Sequence, residues 1–192
     1  MIIIFEGIDG CGKTTQTKLL ANYLCQKKVK YIIFKEPVKP FRSLILNNKF
    51  DPLVYFFLFQ ANRAFNFNQI RKYLQKKYWI LIDRSFPSTF AYQWYLTELK
   101  DKIDLKLLET INRLVTYNLD KLTKVLIFDV PAKVAYRRIK KENVFEQKPL
   151  RYFQKLRRAY LNLAIKFKWQ IINGNNDPLT VHQEVKNVLK LK

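Results

Sequence analysis

Three of the four glycines in this chain, Gly7, Gly10 and Gly12, are crowded between an apolar run, Ile2-Ile3-Ile4-Phe5, and the pair Lys13-Thr14. Glycine concentrated so early marks one tight loop whose backbone takes angles that a Cβ forbids and approaches a partner closely. Read in full, Gly7-Ile8-Asp9-Gly10-Cys11-Gly12-Lys13-Thr14 has the spacing G-x-x-x-x-G-K-T. Such a loop cradles nucleotide phosphates with its N–H groups at a helix N-terminus. The nucleotide-binding residues expected are therefore Gly7, Ile8, Asp9, Gly10, Cys11, Gly12, Lys13, Thr14 and Thr15. Lys13 can reach the β- and γ-phosphates, and the Thr14 hydroxyl can ligand Mg²⁺. The flanks suit this reading. A short apolar strand precedes the loop, and Leu19, Leu20, Tyr23 and Leu24 follow at helical spacing over Thr15 to Gln26. The competing reading, a glycine turn without a ligand, gives those flanks no purpose.

Short apolar runs recur at Tyr31 to Lys35, Trp79 to Asp83, Lys124 to Asp129 and Trp169 to Ile172. None alternates, as expected of a parallel sheet covered on both faces. Helix-like stretches lie between them: Asp51 to Lys77, Ser88 to Leu96, Asp104 to Asn118, Ala132 to Lys141, Pro149 to Lys168 and Pro178 to Lys190. The pattern predicts one three-layer α/β domain over residues 1–192, a five-stranded parallel sheet flanked by helices. Phosphate chemistry then belongs at the carboxyl ends of the strands, where the loops after Glu6, Lys35, Asp83 and Asp129 converge.

Composition narrows the class. A chain of 192 residues that is 48% apolar can bury a sizeable core. Two cysteines make no disulfide framework, and no signal peptide or long apolar run is evident, so a reducing cytoplasm is expected. Cys11 is either an oxidation-sensitive thiol or a small filler of the loop. The single histidine, His182, falls on a late helix and leaves no histidine-based site. The net charge of +21 suits polyanions. Its lysines are spread along the whole chain and no RNA-binding signature appears, which argues for small phosphorylated substrates over nucleic acid.

A second motif follows the third strand. Ile80-Leu81-Ile82-Asp83 ends in a carboxylate that either orders Mg²⁺ or merely caps the next element. The residues after it, Asp83-Arg84-Ser85-Phe86-Pro87-Ser88-Thr89-Phe90-Ala91-Tyr92-Gln93, resemble the D-R-Y-x-x-S-x-x-A-Y-Q signature of thymidylate kinases, with Ser85 in place of the common tyrosine. Other blocks resemble that family in the same order: the loop from Phe5 to Gln16, Glu36-Pro37, the helix Leu58-Phe59-Gln60-Ala61-Asn62-Arg63, Asp129-Val130-Pro131, and Phe145-Glu146 followed by Phe153, Arg157 and Tyr160.

The resemblance implies a phosphate-loop fold with a short lid at about 138–150, and transfer of a phosphoryl group from ATP to dTMP with Mg²⁺. Phe59 would stack on thymine and Arg63 would read its edge. Their i, i+4 spacing permits this, although periodicity alone makes Phe59 core and Arg63 a surface charge. Arg84 and Arg42 would hold the acceptor phosphate, although the segment Val38-Lys39-Pro40-Phe41 is shorter than the family's. Glu36, Pro37, Ser88, Thr89 and Gln93 would line the acceptor site, and Tyr92 would crowd the sugar's 2′ carbon. Asp9 would lie near the 3′-hydroxyl, with Glu146 of the lid close by. Gly10 stands where some members carry a transition-state arginine, which moves that role to the lid, to Arg138 or Lys140, beside Arg137 and Lys141. A solvated basic helix end is the alternative. The expected machinery is thus Lys13, Arg84, Arg138 and Lys140, with Thr14 and Asp83 as metal ligands and a homodimer as the assembly. The rival readings are a kinase for another nucleotide or a deoxynucleoside, a nucleic-acid-binding NTPase, and a decayed paralogue that only binds nucleotide.

Overall fold

The computed structural model describes residues 1–191. In chain order its elements are β1 (Ile2–Glu6), α1 (Lys13–Gln26), β2 (Tyr31–Lys35), α2 (Phe41–Asn47), α3 (Pro52–Gln75), β3 (Trp79–Asp83), α4 (Phe86–Thr89) and a π-helical turn (Phe90–Tyr95). Then come α5 (Leu99–Lys102), α6 (Leu105–Val115), a 3₁₀ turn (Leu119–Leu122), β4 (Thr123–Asp129), α7 (Ala132–Arg138), α8 (Leu150–Phe167), β5 (Gln170–Asn173) and α9 (Pro178–Leu189).

The five strands pair entirely in parallel in the order β2-β3-β1-β4-β5. The expected three-layer α/β architecture is the one observed. β1 lies in the middle and is buried along its whole length, which its unbroken apolar run permits. Helix α1 packs on β1, β2 and β3 with α9 beside it, while α3 contacts β3, α8 contacts β4 and β5, and both touch the π turn. The core is strongly aromatic: Phe5 stacks on Phe128 with centroids 5.9 Å apart, and Phe90 meets Phe167 at 5.6 Å. Each fully buried ring among them stabilises the fold by about 1.5–3 kcal/mol through burial alone.

Local chemistry sets the helix starts. Asp51, Asp104 and Asp177 each accept backbone N–H groups of the helix that follows, and Pro52 and Pro178 stand in the first turn. Where sequence periodicity and structure differ, the differences are local. β4 begins at Thr123 and β5 spans Gln170–Asn173, each offset by one residue from the expected run. The expected single helix from Ser88 is a short α-helix from Phe86 that runs into the π turn. Helix α7 stops at Arg138, short of Lys141. Helix α2 escapes pattern reading because Pro40 precedes it and no side chain caps it.

Because every strand points the same way, Glu6, Lys35, Asp83 and Asp129 end at one edge of the sheet. There Phe5 is level with Asp83 and Phe34 with Ile82, so the glycine loop and the Asp83-Arg84 turn emerge side by side.

Candidate active site

A cleft of about 540 Å³ opens along that edge, a size suited to small-molecule ligands. One end is lined by the loop from Asp9 to Gln16, together with Gly174, Asn176, Pro178 and Val181. The other end is lined by Glu36, Pro37, Arg42, Phe59, Arg84, Ser88, Tyr92 and Gln93. Arg138, at the end of α7, and Asn143, Phe145 and Glu146, from the segment joining α7 to α8, also line it.

At the loop, Gly7, Gly10 and Gly12 have φ of 133°, 81° and 96°, values that L side chains rarely adopt. Gly10 is needed for a second reason: a Cβ there would collide with the Ala135 carbonyl of α7. Lys13 is buried, and its Nζ donates to the carbonyls of Gly7 at 3.1 Å and Ile8 at 2.8 Å. The Cys11 thiol lies 3.6 Å from the same nitrogen, and burial raises its pKa. The filler role fits this thiol, since a Cβ on Gly7 would reach its Sγ. Thr14 Oγ1 donates to Asp83 Oδ2 at 2.7 Å, and Lys35 Nζ sits 3.5 Å from that same oxygen.

Arg84 is the hub of the second end. Its φ of 73° is unusual for a side chain of this size, a kind of backbone strain found at functional sites. Nη1 donates to the Gly7 carbonyl, Ser88 Oγ and Tyr160 Oη at 3.1, 3.1 and 3.2 Å. Nη2 donates to Asp9 Oδ1 at 2.5 Å, and Tyr92 Oη donates to the other Asp9 oxygen at 3.0 Å. Burial alone would raise the Asp9 carboxyl, but the charges of Arg84 and Lys13 outweigh it and hold the pKa at about 2. Burial pushes the Tyr92 and Tyr160 hydroxyls well above their usual range, so both stay protonated.

Most residues singled out in the sequence reach the cleft; a few stand one layer in. Arg63 is wholly buried and pairs with Glu36 at 3.1 Å, with Gln60 at 3.0 Å and with the Thr89 hydroxyl at 2.9 Å. Neither Arg63 nor Thr89 lines the cleft itself, whereas Glu36 and Gln93 do. Burial raises the Glu36 pKa against the pull of Arg63. Arg42 comes to the wall on α2 despite the short segment before it, with Nη1 3.4 Å from the Pro37 carbonyl. The two cations expected of a lid separate: Arg138 lines the cleft with Nη1 3.4 Å from the Gly10 carbonyl, while Lys140 is 83% exposed and faces Glu142 at 4.0 Å.

Some participants stood in resembling blocks with no role assigned to them there. Phe145 packs on Phe59, Tyr55 and Tyr92 with centroids 6.3, 5.1 and 5.7 Å away, walling the second end of the cleft. Glu6 ends β1 wholly buried beneath the Arg84 turn. Tyr160 arrives from α8. All three lie inside blocks that resemble the family, but only tertiary contact reveals their places.

The family model described as thymidylate kinase matches residues 5–185. The chain belongs to the thymidylate kinase family. It is 33% identical over 199 residues to the thymidylate kinase of Carboxydothermus hydrogenoformans, covering 98% of this chain and 96% of that protein. Its identity to the thymidylate kinase of Wolbachia pipientis subsp. Culex pipiens is 31% over 204 residues, covering 100% and 97%. A probable thymidylate kinase of Thermococcus kodakarensis is 32% identical over 203 residues, covering 96% and 95%. The kinase family thus matches the chain from the end of β1 to within α9, the span that builds both ends of the cleft.

Proposed function

We propose that this protein transfers the γ-phosphoryl group of ATP to dTMP, giving ADP and dTDP. One observation carries the reading in physical terms: a single cleft joins the phosphate loop to a pocket with an aromatic face, Phe59, and a phosphate-sized fork, Arg84. The reaction must bring two polyanions together and neutralise charge spread over the moving group, which asks for positioned cations and no covalent intermediate. Lys13 and the loop amides hold the donor. Arg84, with Arg42, aligns the acceptor phosphate in line. Phe59 supplies the stacking face, the Gln93 amide offers donor and acceptor to the imide edge of the base, and Tyr92 crowds the sugar. Arg63 and Thr89 brace Glu36 behind that wall. Arg138 supplies the lid's charge to the transferring group, the segment at 138–150 acts as the lid, and Glu146 lies at its edge.

The donor set fits magnesium. Thr14 and Asp83 present a hydroxyl and a carboxylate side by side, and the described residues contain no group of three or more His, Cys, Asp or Glu side chains that could hold a metal alone. Two protein oxygens plus phosphate oxygens suit a hard ion that keeps much of its water. Bound there, Mg²⁺ would neutralise charge on the triphosphate.

We further infer a homodimer in the cytoplasm. Helix α3 exposes Val54, Phe57 and Phe65, and α6 beside it exposes Leu107 and Leu114, an apolar surface suited to a second copy. No helix among the described residues is long and apolar enough to cross a membrane, and Cys11 and Cys25 are both free thiols.

The decisive experiment incubates the protein with Mg²⁺ and ATP and offers each nucleoside monophosphate in turn. Preferential formation of dTDP is the expected result. Preference for another acceptor, or ATP consumption only when nucleic acid is present, would overturn it.

A further inference from the structure

We propose that Glu6 is the positioning residue for Arg84, holding one edge of the guanidinium so that the other edge is presented to the acceptor's phosphate. The inference rests on the reading of Arg84 as the phosphate-holding residue and adds what holds Arg84.

Glu6 ends β1, the central strand, and has no exposed surface. Its Oε1 accepts the backbone N–H of Ser85 at 2.6 Å and that of Ser88 at 3.2 Å. Its Oε2 accepts the Ser88 hydroxyl at 2.8 Å and the Tyr160 hydroxyl at 2.9 Å, and Arg84 Nη1 lies 3.8 Å away. A carboxylate so buried is stable only when its lone pairs are satisfied, and here four donors satisfy them. The oxygens do not line the cleft, so Glu6 touches no reactant and serves no proton transfer.

The same donors surround Arg84. The two amides follow Arg84, that of Ser85 directly, where Arg84 adopts its positive φ, so the carboxylate ties down a conformation that the backbone alone disfavours. Ser88 Oγ and Tyr160 Oη, each hydrogen-bonded to Glu6, are also two of the three acceptors for Arg84 Nη1. Nη1 is thereby committed to a fixed ring of oxygens. Nη2 faces Asp9 at the wall of the cleft. A planar fork held by one edge keeps the direction of the other, which is what in-line transfer needs.

Binding of thymidine and of dTMP, measured by calorimetry on the wild type, Glu6→Gln and Tyr160→Phe, tests the assignment because only dTMP engages Arg84. The wild type should prefer dTMP by about 100-fold, and Glu6→Gln should cut that preference to below about 10-fold while thymidine affinity and the KM for ATP stay within about threefold. Turnover should fall by roughly 30-fold or more in the same variant, since misalignment acts on the in-line geometry. Tyr160→Phe keeps the buried ring, removes one oxygen from the network, and should show the same loss of preference to a smaller degree. It carries the test if Glu6→Gln fails to fold. A folded variant that keeps the wild-type preference, or that loses both ligands equally, overturns the positioning role. A wild type without preference for dTMP overturns the reading of Arg84 instead.

Discussion

Arg84 and Asp9 form an ion pair at 2.5 Å that joins the turn after β3 to the phosphate loop after β1. The pairing holds the Asp9 carboxyl at about 2, below its ordinary 3.8. A depressed carboxyl contributes stability above its unfolded pKa and loses it as pH falls toward the folded one. The wild type should therefore lose about 2 kcal/mol between pH 4 and pH 2 through this group, a loss absent in Asp9→Asn. Urea unfolding of both proteins across that window measures the difference. Parallel pH profiles would contradict it.

Arg63 and Glu36 are buried together, with side chains 0% and 2% exposed. Removing one partner leaves the other's charge buried and unpaired, so Arg63→Ala should cost about 3–5 kcal/mol. Replacing both, as in Arg63→Met with Glu36→Gln, should restore most of that stability while leaving the acceptor site impaired. A double-mutant cycle in urea gives the coupling directly.

The separation of the lid cations predicts unequal effects. Arg138→Ala should lower kcat by about 10³-fold with little change in ATP affinity, on the scale of an arginine finger. Lys140→Ala, at a solvated ion pair, should stay within about threefold of wild type. Single-turnover kinetics with saturating dTMP distinguishes the two; a large loss in Lys140→Ala with little in Arg138→Ala would move the role to Lys140.

Tyr92 combines two contacts, a hydrogen bond to Asp9 and a ring 5.5 Å from the Arg84 guanidinium. Shrinking it should open space at the sugar and weaken discrimination. In Tyr92→Ala the kcat/KM ratio of dTMP over its ribose counterpart should fall by about 10-fold or more. An unchanged ratio would remove Tyr92 from sugar selection.

What could be read in the sequence was whatever repeats with local chemistry. Apolar runs gave five strands almost to the residue, and Gly7 to Thr14 announced the loop, because both follow from neighbouring residues. Helices α5 and the 3₁₀ turn Leu119–Leu122 are too short for periodicity to register. The π turn widens a helix without changing its composition, so Ser88 to Leu96 reads as regular. Arg42, Phe59 and Tyr92 were visible through motif resemblance. Glu6 and Tyr160 stood in resembling blocks too, but their contact was not legible, because their hydrogen bond closes a separation of 154 residues. Arg63 showed the opposite limit: its motif position was legible, while its burial behind Glu36 was a matter of packing.

Between Gly10 and Ala135 the phosphate loop meets α7 with no side chain to act as a cushion. Three residues further along that helix stands Arg138, which reaches back to the Gly10 carbonyl. Main chain bearing on main chain has no rotamers to relax, so the loop and the helix that carries Arg138 keep a close spacing. Any gain in bulk at that joint would be read as misalignment at the transferring phosphorus.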